Sequence, residues 1–163
     1  MTILSELVEN FAKNNGCEFT MLDSGYGGNI KIGPLTMNVM NQPGSPYIIL
    51  QIAVAVLPEA GEGREDLLVK VLAANDLYIA THGMTLALNP DAELITLLNQ
   101  LPTDGLNQEA FSNAVGKTFL EAADWVKELD PVYQEQNKGE TADDEDSNST
   151  NTEIPNISNW IPM

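Results

Sequence analysis

The chain has 163 residues, 43% hydrophobic but only 6% aromatic, a scale that suits one largely aliphatic core plus an appendage. Its 24 acidic residues against 7 basic ones give a formal charge of −17, and Arg64 is the single arginine, so the clustered cations that nucleic acid or an anionic membrane surface demands are missing. No run approaches the roughly 20 apolar residues of a membrane span, the opening MTILSELVENFAKNNG lacks the basic stretch of a signal peptide, and the single Cys17 suits a reducing compartment.

In chain order, Leu4, Leu7, Val8 and Phe11 recur at helical spacing and predict a first helix, which Gly16 ends after Asn14-Asn15. CEFTMLD reads as a short strand, and the glycines 25, 27 and 28 as a hairpin turn. Ile30 and Ile32 alternate with polar residues, as do Leu35, Met37 and Val39, but in the opposite parity. A bulge or bend at Gly33-Pro34 within one strand would bring both sets to one face. YIILQIAVAV is a continuous apolar run, expected of a strand covered on both sides.

After LPEAGEG, the stripe Leu67, Leu68, Val71 and Leu72 predicts a second helix, with Asn75 as a left-handed cap. THGMTLALN and ELITLLNQ then read as two strands joined by NPDA. The last helix has Asn107 as N-cap and a staple between Leu106 and Phe111. Its apolar face continues through Val115, Phe119 or Thr118, Ala122, Val126 and Leu129. The resulting order is α-β-β-β-α-β-β-α: a twisted, mainly antiparallel sheet of about five strands with three helices, an α+β domain over residues 1–131.

Residues 132–163 are expected to form an acidic, disordered tail. Residues 1–129 hold 16 acids and 6 bases, whereas residues 130–163 hold 8 acids and 1 base. The text QEQNKGETADDEDSNSTNTE is too poor in apolar residues to offset its ordering entropy. The chain then closes on the apolar segment IPNISNWIPM, with Ile157, Trp160 and Ile161.

Catalytic patterns are weak. His82 is the only histidine and reads as a surface or capping residue; Cys17 has no CxxC partner and reads as a buried thiol. The 25–28 glycines lack the Lys-Ser/Thr of a phosphate loop, and Asp143–Asp146 lacks the spacing of a calcium loop. No cofactor and no enzymatic activity is expected; a carboxylate-pair enzyme is the weaker alternative.

Residues 57–129 resemble the class I type III secretion chaperones, the Tir-chaperone family. The resemblance rests on an ordered series: Val71-Leu72-Ala73-Ala74-Asn75 at a helix end, Gly83-Met84-Thr85-Leu86-Ala87-Leu88 in a strand, the link Leu101-Pro102, and Ala122-Ala123-Asp124-Trp125 late in the final helix. The element order extends it, more generically, to the first 129 residues; the tail departs from it. The resemblance implies a bacterial cytoplasmic homodimer that binds the N-terminal region of a secreted effector in extended form and keeps it soluble and export-competent. It places the two-fold contact on Leu67, Leu68, Val71, Leu72, Met84 and Leu86, and the effector groove along Leu7, Phe11, Phe19, Met21, Ile30 and Ile32. A regulatory adaptor on the same fold, binding a folded partner, is the alternative. The tail segment has three readings: occupying the chain's own groove, docking on the secretion apparatus, or neither. No nucleic acid and no membrane insertion is expected.

Overall fold

A computed structural model describes residues 2–129. Helix α1 (Ile3–Asn15) starts where Thr2 Oγ1 accepts the Ser5 amide at 3.2 Å. It ends at Gly16, whose φ of 64° lets the Cys17 amide turn back onto the Ala12 carbonyl. Then follow β1 (Glu18–Met21), β2 (Gly27–Ile32), β3 (Leu35–Met40), β4 (Tyr47–Val56), α2 (Glu62–Ala74), a short 3-10 turn (Asp76–Tyr78), β5 (Thr85–Asn89), β6 (Leu94–Pro102) and α3 (Gln108–Leu129). The strands form one sheet in the order β1-β2-β3-β4-β6-β5, and every pairing is antiparallel. The expected α+β class with three helices holds.

The strand count differs from the expected five because Gly33-Pro34 is a hairpin turn rather than a bend within one strand. Gly33 sits at φ 57°, and Ile32 pairs directly with Leu35. Glycine first and proline second is the pattern of a two-residue type II′ loop. Directly opposed residues share a face, so Ile30 meets Met37 there. The parity switch is therefore what a two-residue hairpin requires.

The helices cover one side of the sheet. The cross-strand row Ile30–Met37–Ile52–Leu97–Leu86 is buried throughout. The adjacent row Asn29–Asn38–Gln51–Leu98–Thr85 is partly or fully exposed. β4 thus differs from the expected doubly covered strand. Ile48, Leu50, Ile52 and Val54 point into the core, while Ile49, Gln51 and Ala53 face outward until an irregularity at Ala53/Ala55 breaks the alternation.

α3 packs chiefly across β4, its Asn107 cap accepting the Ala110 amide at 2.8 Å. Phe111 meets Phe11 edge to face, with ring centroids 6.3 Å apart, which locks α1 to α3. Such a pair adds about 0.5–1.5 kcal/mol to simple burial. The polar point beneath α3 is satisfied: Asn99 donates to Thr118 Oγ1 at 2.9 Å, and Thr118 donates to the Ala114 carbonyl.

Candidate functional site

The two edges of the sheet differ. In the β1–β2 pair the Leu22 amide donates to the Gly27 carbonyl, so Leu22, Thr20 and Glu18 turn their backbone groups toward β2. Phe19 and Met21 therefore turn theirs outward, and among the described residues no hydrogen bond reaches them. The side chains around this edge are exposed and apolar: Phe19 at 39%, with Ile3, Leu22 and Tyr26. Gly28 makes the edge possible. A Cβ there would lie 2.6 Å from the Thr20 carbonyl oxygen and 2.8 Å from Met21 Sδ, so the missing side chain is the space that Met21 fills. The edge is also anchored, since Thr2 Oγ1 donates to the Gly25 carbonyl in the β1–β2 turn at 2.6 Å.

At the opposite edge the chain closes the first part of its own β5. Asn75 Nδ2 donates to the Leu86 carbonyl at 2.8 Å, and its Oδ1 accepts the Leu86 amide at 2.9 Å. Thr81 does the same one step earlier: its hydroxyl donates to the Met84 carbonyl at 2.6 Å, and its own carbonyl accepts the Met84 amide. Met84 and Leu86 are successive outward-facing positions of this edge, so there side chains and loop replace a neighbouring strand, while at the next such position, Leu88, no hydrogen bond is made among the described residues. Asn75 is thus a right-handed residue (φ −77°) that caps a strand, not the expected left-handed helix cap. The left-handed conformation falls instead on Leu77, Tyr78 and His82. Non-glycine residues there are strained by roughly 1–3 kcal/mol each.

That loop continues an exposed apolar surface from α2. Leu72 is 72% exposed and Leu77 75%, beside Val69, Tyr78 and Ile79. Few monomeric surfaces leave so many large apolar side chains uncovered within a dozen residues.

Of the residues assigned by resemblance to the effector groove, Phe19 and Met21 reach the β1 edge, whereas Leu7, Phe11, Ile30 and Ile32 are buried in the core. Of those assigned to a two-fold contact, Leu72 is exposed and Leu68 half-buried. Leu67, Val71, Met84 and Leu86 are core residues of the single chain. Helical spacing explains the split: Leu67, Val71 and Ala74 form the inward line of α2, and Leu72 falls outside it. Sequence reading missed Ile3, Leu22 and Tyr26 at one surface, and Val69, Leu77, Tyr78 and Ile79 at the other. The run Leu77-Tyr78-Ile79, apolar but outside any helix stripe or strand, was the available signal.

His82 is exposed, as expected, and its Nδ1 lies 2.7 Å from Glu121 Oε2; the other oxygen of Glu121 accepts from Trp125 Nε1 at 2.8 Å. Cys17 is half-buried, and burial raises its thiol pKa above the ordinary value. Among the described residues there is no cluster of metal-ligating side chains, and no helix is long and apolar enough to cross a membrane. Ile157, Trp160 and Ile161 lie outside the described residues.

A helix-backed antiparallel sheet with one open edge and an apolar loop at the other is the framework of a protein-binding module. The Tir chaperone protein (CesT) family model matches residues 6–125, and the chain belongs to that family. No curated protein sequence matches it. Among solved structures, the ExsC–ExsE complex contains a chain of similar fold, with a TM-score of 0.58 at 15% identity over 79% of this chain and 97% of that one. The HopA1–SchA chaperone–effector complex contains another, with a TM-score of 0.55 at 14% identity over 77% and 91%. At such identities the likeness is one of fold.

Proposed function

We propose that this protein is a type III secretion chaperone that binds a segment of a secreted effector in extended form at the β1 edge and keeps it export-competent. The observation that carries the reading is the asymmetry of the sheet. Phe19 and Met21 offer unpaired backbone groups beside exposed Ile3, Leu22 and Tyr26, while Asn75 and Thr81 close the other edge at Leu86 and Met84 and leave only Leu88 open. An added strand gains affinity from main-chain hydrogen bonds and selectivity from side chains entering adjacent apolar surface. The family and the chaperone–effector complex among the similar folds support it. In the same reading, Val69, Leu72, Leu77, Tyr78 and Ile79 meet a second copy, giving a homodimer whose β1 edges stay accessible.

Co-purification from the native bacterium, with mapping of the segment the chaperone protects from proteolysis, tests this. The expected partner is an exported protein protected over a short stretch near its N-terminus. Phe19→Asp and Leu22→Asp variants should lose it, Leu22→Asp while keeping its unfolding midpoint, because Leu22 is 57% exposed, and Phe19→Asp with a modest fall in midpoint, because Phe19 is 39% exposed and opposes buried Ile30. Retention of the partner by both variants would refute the β1 assignment; protection of a whole folded domain would favour the regulatory adaptor.

A further inference from the structure

The open β1 edge and the apolar end of the chain suit each other. Residues 156–161, Asn-Ile-Ser-Asn-Trp-Ile, place Ile157 and Ile161 on one side of an extended segment and Trp160 on the other. Pro155 and Pro162 bracket these six residues. Proline has no amide to donate, so a strand delimited in this way pairs over its middle and stops at both ends. β1 itself has four residues, and its outward groups at Phe19 and Met21 need a partner of about that length.

We propose that residues 156–161 pair with the outward edge of β1 and occupy it until cargo displaces them. This inference rests on the reading of β1 as the cargo edge and adds its regulation. Reach allows it: 26 residues, 130–155, separate the segment from the end of α3, and extended they cover up to about 90 Å. Six strands span only about 24 Å from first to last. α3 ends beside α2, where Lys70 Nζ donates to the Glu128 carbonyl at 2.8 Å, so the chain leaves the body at the β5 side and must cross the sheet's width. Specificity of place comes from the edges. The β5 edge is nearer, but Asn75 and Thr81 already satisfy it at Leu86 and Met84, leaving Leu88 as its one outward position without a hydrogen bond among the described residues, against two on β1. Charge fits a displaceable contact. Residues 130–153 hold eight acids and one base, against 16 acids and six bases in residues 1–129, so the connecting stretch is repelled from the body. The attraction therefore concentrates in segment 154–163, which has no charged side chain, and salt, by screening the repulsion, strengthens it.

A tethered segment has an effective concentration on the order of millimolar. A segment binding at about 0.1 mM as a separate peptide would then be some 90% engaged. Amide hydrogen exchange reads this directly in the full chain and in a chain ending at Glu153. The Phe19 and Met21 amides should exchange roughly tenfold more slowly in the full chain, lose that protection on truncation, and regain it when the synthetic peptide IPNISNWIPM is added at millimolar concentration. An Ile157→Asp/Ile161→Asp full chain should behave as the truncated one. Equal exchange in the full and truncated chains overturns the proposal, as does protection appearing at Val69–Ile79 instead. Effector capture by the native-cell assay is read separately. Capture without an exchange difference leaves β1 as the cargo edge and removes the tail from it, whereas an exchange difference without capture removes the cargo reading.

Discussion

Replacing Asn75 by alanine removes both hydrogen bonds that hold the outward edge of β5, those from its amide to the Leu86 carbonyl and from the Leu86 amide to its Oδ1. Each bond contributes about 0.5–1.5 kcal/mol net, so the pair amounts to roughly 2 kcal/mol. Two effects move that figure. Asn75 has helical backbone angles (φ −77°, ψ −8°), so alanine recovers about 0.5 kcal/mol of helix propensity. Leu86 is 97% buried as a residue, so water compensates its orphaned amide poorly. A net loss of about 1.5–2 kcal/mol follows. With a urea slope of about 1.5–2 kcal/mol per molar for a domain of this size, the unfolding midpoint should fall by about 1 M. The Leu86 amide should lose its exchange protection, and the opened edge should make the variant self-associate with rising concentration. Asn75→Asp keeps the acceptor for the Leu86 amide but sets a carboxylate against the Leu86 carbonyl, so it should be no more stable than the alanine variant. A midpoint within 0.3 M of the parent with an unchanged Leu86 exchange rate would show that the side chain does not hold this edge.

Leu72→Asp should turn the proposed homodimer into a monomer in sedimentation velocity without changing the far-ultraviolet spectrum, because Leu72 is exposed. Val71→Asp should unfold the chain, because a carboxylate cannot be accommodated at that buried position. A dimeric Leu72→Asp variant would move the contact off the α2 surface. Burial raises the Cys17 thiol pKa, so iodoacetamide at pH 8 should modify it more slowly in the native chain than in urea. The sign for stability follows. The folded thiol resists ionisation, so its contribution is intact below the unfolded thiol value of about 8.5 and declines as pH rises beyond it. Equal alkylation rates would contradict the burial.

Much of the fold was legible because it rests on local chemistry. Gly16, the Asn107 cap and the 3.6-residue spacing of Leu4, Leu7, Val8 and Phe11 each specify structure within a few residues, and each stands where it was expected. The parity switch at Gly33-Pro34 is plain in the sequence, but it does not distinguish a bend from a hairpin. A bend and a two-residue hairpin reconcile the same two faces, and only pairing of Ile32 with Leu35 separates them. The apolar run of β4 misled for a related reason. Apolar content records what a strand tolerates, not whether a helix lies on its second face.

The surfaces were harder to read, because apolar residues in the core and at an interface look alike in sequence. Leu67 and Leu72 are identical in type and lie five positions apart on one helix, yet one is buried and the other 72% exposed. What separates them is which line of α2 faces Met84 and Leu86, a tertiary fact. Edge closure is less visible still. Asn75 was legible as a helix stop but not as a strand cap, since its partner Leu86 lies 11 residues on and across a loop held in the left-handed region at Leu77 and Tyr78. The strain in that loop and the bidentate amide belong together. The chain turns sharply enough to bring Asn75 beside Leu86, and in doing so it leaves Leu77, Tyr78 and Ile79 pointing away from the core. A single local geometry therefore closes β5 at Met84 and Leu86 and exposes the apolar loop, so only Leu88 stays open there and β1, with Phe19 and Met21 both free, is the edge that offers an extended chain more to pair with.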